Sequence, residues 1–134
     1  MSQREWENGS GYYDPTAYQA LKTFYYMPLV YICSPYSGDI ETNVEKARGY
    51  SRYALEKGTI PIAPHLLFLQ FMNDLDQNER EQAMRMNLIL LDRCEELWVF
   101  GDELSKGMQQ EISRAEKRKK MICWFDHQCK EVSL

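Results

Sequence analysis

Two short segments of this 134-residue sequence combine residue types that can bind an anion and supply a nucleophile. One is the loop Ser34-Pro-Tyr-Ser37-Gly38-Asp39, which follows an apolar run and precedes a helical pattern. The other is Ser105-Lys-Gly107-Met-Gln-Gln-Glu111, in which Ser105 can cap a helix and Glu111 follows Gly107 by one turn. Hydroxyls and free N–H groups at a helix N-terminus favour an anion. A carboxylate beside them is expected to stay ionised, as attack on an anomeric carbon requires.

Each of these features also has a purely structural interpretation. The loop 34–39 is then an ordinary turn between strand and helix, since it matches neither GxGxxG nor a Walker motif. Glu111 is then an exposed helical residue paired with Arg114, which the helix pattern alone favours. Asn87 interrupts the apolar stripe of a helix and His65 follows a strand-like run, and isolated polar residues in such places are commonly structural.

The composition is that of one ordinary globular domain, with 44% hydrophobic and 27% charged residues. No apolar run approaches the ~20 residues of a membrane helix. The N-terminal stretch MSQREWENGSGYYDP lacks the apolar core of a signal peptide, so we expect a cytoplasmic protein. Sixteen Lys and Arg against 20 Asp and Glu give a net charge of −4, which disfavours nucleic acid and anionic membranes as partners.

The cysteines indicate the same compartment. Cys33, Cys94, Cys123 and Cys129 form no CxxC pair, and we expect reduced thiols of which three are buried. Cys123, His127 and Cys129 match no standard zinc spacing and have no fourth ligand in view. The sequence therefore predicts neither a metal nor an organic cofactor.

Strand-like and helical patterns alternate along the chain. Short apolar runs predict strands at 29–33, 59–63, 96–100 and 121–125, and Pro61 indicates an edge strand. Helices are predicted between Asp39 and Gly58, from Asp76 to about Arg93, and from Gly107 to Lys120, while 64–72 is apolar without a period. This order predicts an α/β class: a Rossmann-like three-layer fold with a small parallel sheet of four or five strands flanked by helices.

The same patterns divide the chain and place its ligand. Residues 1–27 are expected to be an N-terminal extension with a short helix from about Pro15 to Tyr25, 28–126 the α/β domain, and 127–134 a C-terminal tail. Parallel sheets bind ligands beyond the carboxyl ends of their strands. The loops 34–39, 64–68 and 101–107 should therefore border the site.

The segments VYICSPYSGD, APHLL, NLILLDRCEELWVF and SKGMQQEISRA, in this order, resemble the nucleoside 2-deoxyribosyltransferase-like superfamily over roughly residues 28–125. Their layout is closest to the 2′-deoxynucleoside 5′-phosphate N-hydrolase branch and to uncharacterised bacterial and phage relatives. The resemblance implies an enzyme that cleaves the N-glycosidic bond of a (deoxy)nucleoside or nucleoside 5′-monophosphate, by hydrolysis or base transfer, without a cofactor.

The resemblance also implies roles for individual residues. Glu111 would attack C1′ and expel the base, and the Tyr31 hydroxyl would orient that carboxylate. The remaining residues would contact substrate: the 5′-phosphate would bind at Ser34, Ser37, Gly38, Ser105 and Gly107, and the base would lie near His65.

Asn87 stands where the family usually has an aspartate that handles the sugar or the leaving base, which implies a slower rate or a different substrate. Two alternatives to an enzyme therefore stay open. One is a non-catalytic nucleotide-binding module in which Asn87 marks a degenerate site. The other is an interaction protein whose tyrosine-rich N-terminus binds a partner.

Apolar residues exceed what one small core needs, so we expect a homo-oligomer, a dimer or higher assembly. Those in excess are Phe68, Phe71, Met72, Met84 and the run 88–91. The superfamily resemblance implies the same.

Overall fold

A computed structural model of the chain describes residues 26–133, and the short helix expected in the N-terminal extension lies outside them. The elements are β1 (Leu29–Cys33), α1 (Ile40–Glu56), β2 (Ile60–Ile62), α2 (Pro64–Phe68), α3 (Gln77–Arg93), β3 (Glu96–Phe100), α4 (Lys106–Lys117) and β4 (Met121–Phe125). All four predicted strands are present. The short helix α2 forms in the apolar segment that showed no period, with Pro64 at its first position, where the missing N–H has no effect.

The four strands form one parallel sheet in the order β2-β1-β3-β4. This confirms the expected Rossmann-like α/β class with a small sheet. Pro61 lies in β2 at the edge of the sheet, as its missing N–H requires. Beyond β4, the segment expected as a tail turns back, and the Val132 N–H donates to the Trp124 carbonyl at 2.8 Å.

Side chains that alternate along the strands build two separate cores, one on each face of the sheet. The face covered by α1, here called the aromatic face, contains Val30, Ile32, Trp98, Phe100 and Phe125. The face covered by α3 and α4, here called the site face, contains Tyr31, Cys33, Leu97 and Val99 together with Leu91, Met108, Ile112 and Ala115. The sheet is thus the middle of three layers.

The predicted caps define where the helices begin. Asp39 accepts from Thr42 N at 3.2 Å, Asp76 from Asn78 N at 2.8 Å, and Ser105 from Met108 N at 3.2 Å. The capping box expected of Asp76 and Glu79 forms only in part, since Glu79 accepts from Asn73 N at 3.3 Å instead of from the cap residue. The helix α4 ends at Lys117 and not at Lys120.

The cysteines correct one expectation. All four are free thiols, but only Cys33 and Cys94 are buried, whereas three buried thiols were expected. Cys123 lies on the edge strand β4 and Cys129 in the turn that follows it, so both stay half-buried.

Within 26–133, no three His, Cys, Asp or Glu side chains cluster as metal ligands do. Nor is any helix in this range long and apolar enough to cross a membrane.

Candidate active site

A cleft of about 510 Å³ opens beyond the carboxyl ends of the strands. Its walls come from the segments after β1 and β2, from the first half of α3 with the loop before it, and from the start of α4. Ligands of open α/β sheets bind at this edge. Of the residues selected from sequence, the cleft is lined by Ser34, Ser37, His65, Asn87, Ser105, Gly107 and Glu111.

Glu111 lies on α4 with its carboxylate over the end of β1, and its side chain is buried at 6% exposure. The phenol of the fully buried Tyr31 donates a hydrogen bond to Oε2, and the Cys33 thiol donates to Oε1 at 3.5 Å. Arg114 pairs with Asp92 at 2.6 Å instead of with Glu111. The structure therefore rules out the alternative of an exposed glutamate paired with Arg114.

Burial determines the protonation of this pair. Desolvation raises the pKa of Glu111 from 4.5 to about 7, although the hydrogen bonds from Tyr31 and Cys33 act in the opposite direction. Because Glu111 is buried in the second turn of α4 with little water around it, its ionisation shifts from the ordinary acidic range toward neutral pH. Burial, and then the adjacent Glu111, hold the pKa of Tyr31 well above its usual value, so Tyr31 remains a donor.

His65 and Tyr36 form an uncharged wall of the cleft. Burial lowers the pKa of His65 to about 4, so the imidazole is neutral at pH 7. Its Nε2 lies 3.4 Å from the Ser34 hydroxyl, and its ring centroid is 5.5 Å from that of Tyr36. This wall offers ring faces and neutral hydrogen-bonding groups, which suit a planar heterocycle.

The loop after β1 is shaped by its neighbours. Asn43 Nδ2 donates to the carbonyls of Tyr36 and Ser37 at 3.1 and 2.9 Å, which fixes the loop above α1. Gly38 adopts a positive φ of 97° and does not line the cleft, in contrast to its expected place beside a phosphate. The carboxylate of Asp39 already occupies the N-terminus of α1, so that helix end does not attract a second anion.

The N-terminus of α4 borders the cleft directly. The Ser105 oxygen accepts from Met108 N, which leaves its own hydrogen free to donate to a ligand. Lys106 beside it is exposed and carries the positive charge of this wall. A Cβ at Gly107 would lie 3.1 Å from Met84 Cε, the end of a flexible side chain, so a larger residue here would press on that methyl group.

Asn87 lies on the cleft side of α3, and its Oδ1 is buried without a hydrogen-bond partner among the described residues. Buried carbonyl oxygens are nearly always paired, so one without a donor is costly. The Asn87 side chain borders the cleft, but this oxygen itself is closed to solvent, so a ligand would reach it only after the side chain turned.

Several cleft residues were not among those selected from sequence. Asp74, Glu79 and Glu81 make the wall at the start of α3 acidic, and Arg80 lies 3.8 Å from Asp74. The acidic run NDLDQNE is visible in the sequence, but only the fold turns it toward the cleft. Cys33 could have been found from its parity with Tyr31 on β1, since residues two apart share a face.

The fold is similar to a solved structure of a 2-deoxyribosyltransferase from the psychrotolerant bacterium Bacillus psychrosaccharolyticus. The two share 18% sequence identity with a TM-score of 0.56, over 73% of this chain and 72% of the other. At this identity the likeness concerns the fold. Comparison with curated proteins gives no match.

The sequence also matches one protein family. The match covers residues 28–125, which include all four strands and every residue selected for the site. The chain therefore belongs to the family described as Domain of unknown function (DUF7768).

Proposed function

We propose that this protein cleaves the N-glycosidic bond of a (deoxy)nucleoside or nucleoside 5′-monophosphate, with Glu111 as the nucleophile. The observation that carries the proposal is a buried carboxylate that lines a cleft and accepts a hydrogen bond from a buried phenol. The sequence motifs and the fold shared with a 2-deoxyribosyltransferase support the same chemistry.

In the first step one oxygen of the ionised Glu111 bonds to C1′ while the C1′–N bond breaks. The electron pair of that bond leaves on the base nitrogen, which takes a proton from water. Water then attacks C1′ as the bond between C1′ and the Glu111 oxygen breaks, and it loses a proton to the hydroxide left by the first step. The sugar is released and the carboxylate is restored. A second base in place of water would make the reaction a transfer.

The cleft walls support a division of roles around this bond. The base lies against Tyr36 and His65, which provide uncharged ring surfaces. The 5′ end of the sugar points to Ser105 and Lys106 at the start of α4, with Ser34 and Ser37 opposite. Because Asp74, Glu79 and Glu81 also line the cleft, binding of a phosphate should be modest and sensitive to salt.

One observation favours a second candidate, a nucleotide-binding module without turnover. Asn87 has an amide where the superfamily usually has a carboxylate, and an amide cannot deliver a proton to a leaving base. Asn87 still lines the cleft, where an amide can hydrogen-bond a ligand without transferring a proton. The second candidate therefore predicts binding without release of free base.

The test incubates the protein with a panel of nucleosides and their 5′-monophosphates and measures free base by chromatography. We expect base release by the natural protein, and loss of at least a thousandfold in Glu111→Gln, which removes the charge but keeps the shape. Glu116→Gln, on the exposed side of the same helix, is the matched control and should retain full turnover.

Two outcomes would contradict the proposal. If Glu111→Gln keeps a tenth of the natural turnover, Glu111 is not the nucleophile. A thermal shift with nucleosides but no free base from any of them would favour the binding module.

We also propose that the chain self-associates. Leu67, Phe71, Leu75 and Ile89 are 53–90% exposed around α2 and α3, while Phe68, Met72 and Met84 line the cleft. Exposed apolar surface of this kind favours contact between copies. Light scattering at micromolar concentration should give a mass of at least two chains, and a monomer mass would end this proposal.

A further inference from the structure

Glu111 meets two hydrogen-bond donors, and both come from strand β1. Tyr31 and Cys33 are two residues apart, so their side chains leave the same face of the sheet. Tyr31 donates to Oε2 of Glu111 and Cys33 to Oε1 at 3.5 Å. The carboxylate is therefore engaged on each oxygen from beneath, by one rigid element.

The Cys33 thiol has few alternatives for its single hydrogen. It is fully buried, and its other contact is the Met108 carbonyl at 4.0 Å, half an ångström beyond Glu111 Oε1. A charged acceptor also attracts a donor more strongly than a carbonyl does. Burial, followed by the nearby Glu111, holds the pKa of Cys33 well above its usual value, so the group stays a neutral thiol.

We propose that Cys33 is a positioning residue, whose thiol donates to Oε1 of Glu111 while Tyr31 donates to Oε2, so that β1 holds the carboxylate in one orientation toward the cleft. The catalytic meaning of this contact rests on the proposed function. The contact itself does not, because it is a property of the free protein. Without the thiol, Oε1 loses its donor and the carboxylate can turn about the bond that carries it.

The contact also stabilises the ionised form of Glu111. Desolvation raises the pKa of this group, and the Tyr31 and Cys33 hydrogen bonds lower it in part. The other ionisable groups of the cleft are Tyr36 from the loop after β1, His65 from α2, Lys106 from α4, and Asp74, Glu79, Arg80 and Glu81 from the wall at the start of α3. Among the described residues, only Tyr31 and Cys33 hydrogen-bond the Glu111 carboxylate, so removal of the thiol should change the pKa of Glu111.

The experiment is a carboxyl carbon-13 NMR titration of the full chain, with the Glu111 signal assigned by its absence in Glu111→Gln. Cys33→Ala should raise the pKa of Glu111 by about 0.5 to 1, the effect of losing one weak donor to a charged group. Cys94→Ala is the matched control, since it removes a buried thiol from the same core that has no hydrogen bond to Glu111. It should leave that pKa unchanged.

A second readout needs no change at Cys33. The S–H stretching band assigned to Cys33 should move to lower frequency as Glu111 ionises, and this movement should be absent in Glu111→Gln. If turnover is observed, the acidic limb of kcat/KM in Cys33→Ala should move to higher pH by the same amount as the NMR pKa.

The outcomes separate this inference from the proposed function. An unchanged pKa in folded Cys33→Ala, or an S–H band that ignores the ionisation of Glu111, would overturn the inference. If Cys33→Ala does not fold, the S–H band of the natural protein is the measurement that tests the inference. Absence of base release from the natural protein, with the pKa shift present, would end the proposed function and leave the contact between Cys33 and Glu111 established.

Discussion

The two faces of the sheet bury side chains of different chemistry. On the aromatic face the Phe100 ring stacks between those of Tyr50 and Phe125, with centroids 4.4 and 4.8 Å apart. On the site face β1 packs Tyr31 and Cys33 against α4, where both donate to Glu111. The aromatic face thus buries apolar side chains and stacked rings, whereas the site face also buries a carboxyl group.

This difference separates stability from chemistry within a single layer of strands. Burying apolar surface contributes roughly 25 cal/mol per Å², while an ionised carboxylate loses much of its hydration in the same kind of environment. The aromatic face can therefore offset the destabilisation that an ionised Glu111 causes on the site face. Changes on the first face should affect folding, and changes on the second should affect pH dependence and turnover.

The largest effect on stability is expected from Phe100→Ala. It removes a fully buried ring from a stack and leaves a cavity, which costs about 3–5 kcal/mol. Urea unfolding should show this loss equally at pH 5 and pH 8, since the stack carries no charge. Met121→Ala, at a side chain that is 64% exposed, should stay within about 0.5 kcal/mol of the natural protein. Equal losses at the two sites would contradict the assignment of the stack as the stabilising core.

Glu111→Gln should increase folding stability, and the size of the increase should depend on pH. Because the folded pKa of about 7 lies above the ordinary 4.5, the folded state holds a proton that the unfolded state has lost. The natural protein should thus lose stability as pH rises from about 4.5 to 7. The Gln variant should gain on the order of 2–3 kcal/mol relative to it between pH 5 and pH 8.

Urea unfolding of both proteins at the two pH values measures this gain. Glu116→Gln, which removes an exposed carboxyl from the same helix, should follow the natural pH dependence. If the stability of the Gln variant changes with pH in the same way as that of the natural protein, Glu111 is hydrated in the folded state.

Tyr31→Phe should reduce kcat/KM about 10–100-fold, because the carboxylate loses an orienting donor but keeps its nucleophilic oxygen. The acidic limb of the profile should also move to higher pH, since one of the hydrogen bonds that lower the pKa of Glu111 is gone. Tyr50→Phe, on the aromatic face, removes a hydroxyl without contact to Glu111 and is the control. If kcat/KM of Tyr31→Phe at high pH lies within threefold of the natural value, Tyr31 does not orient the carboxylate.

The smallest effect is expected from Ser105→Ala. If its hydroxyl binds a phosphate, Kd should rise more for a nucleoside 5′-monophosphate than for the nucleoside, because only the former loses a charge-assisted hydrogen bond. If Ser105 only caps α4 through Met108 N, the variant loses about 1 kcal/mol of stability and the ratio of the two Kd values stays unchanged. Calorimetry with both ligands distinguishes the two cases.

Local patterns in the sequence predicted most of the framework. The four strands, the caps at Asp39, Asp76 and Ser105, and the edge position of Pro61 all follow from interactions within a few residues of chain. The α2 helix was not predicted because five residues carry too little period to separate a helix from an apolar loop. The second half of the capping box does not form because the Asp76 N–H donates to the Asn73 carbonyl, and Glu79 accepts from Asn73 N instead.

The site residues also fall into those that the sequence predicted and those that only the tertiary structure identified. Residue types and spacing by themselves singled out Glu111, Ser105, Gly107 and the loop after β1, and family resemblance added Tyr31. The resemblance implied that Tyr31 meets Glu111, and the structure shows this contact across 80 residues of chain. Only the tertiary structure decided that Cys33 is the second donor and that Gly38 turns away from the cleft. It also decided the protonation of Glu111, because a pKa depends on how much water the packed layers leave around a group, and no local pattern records that.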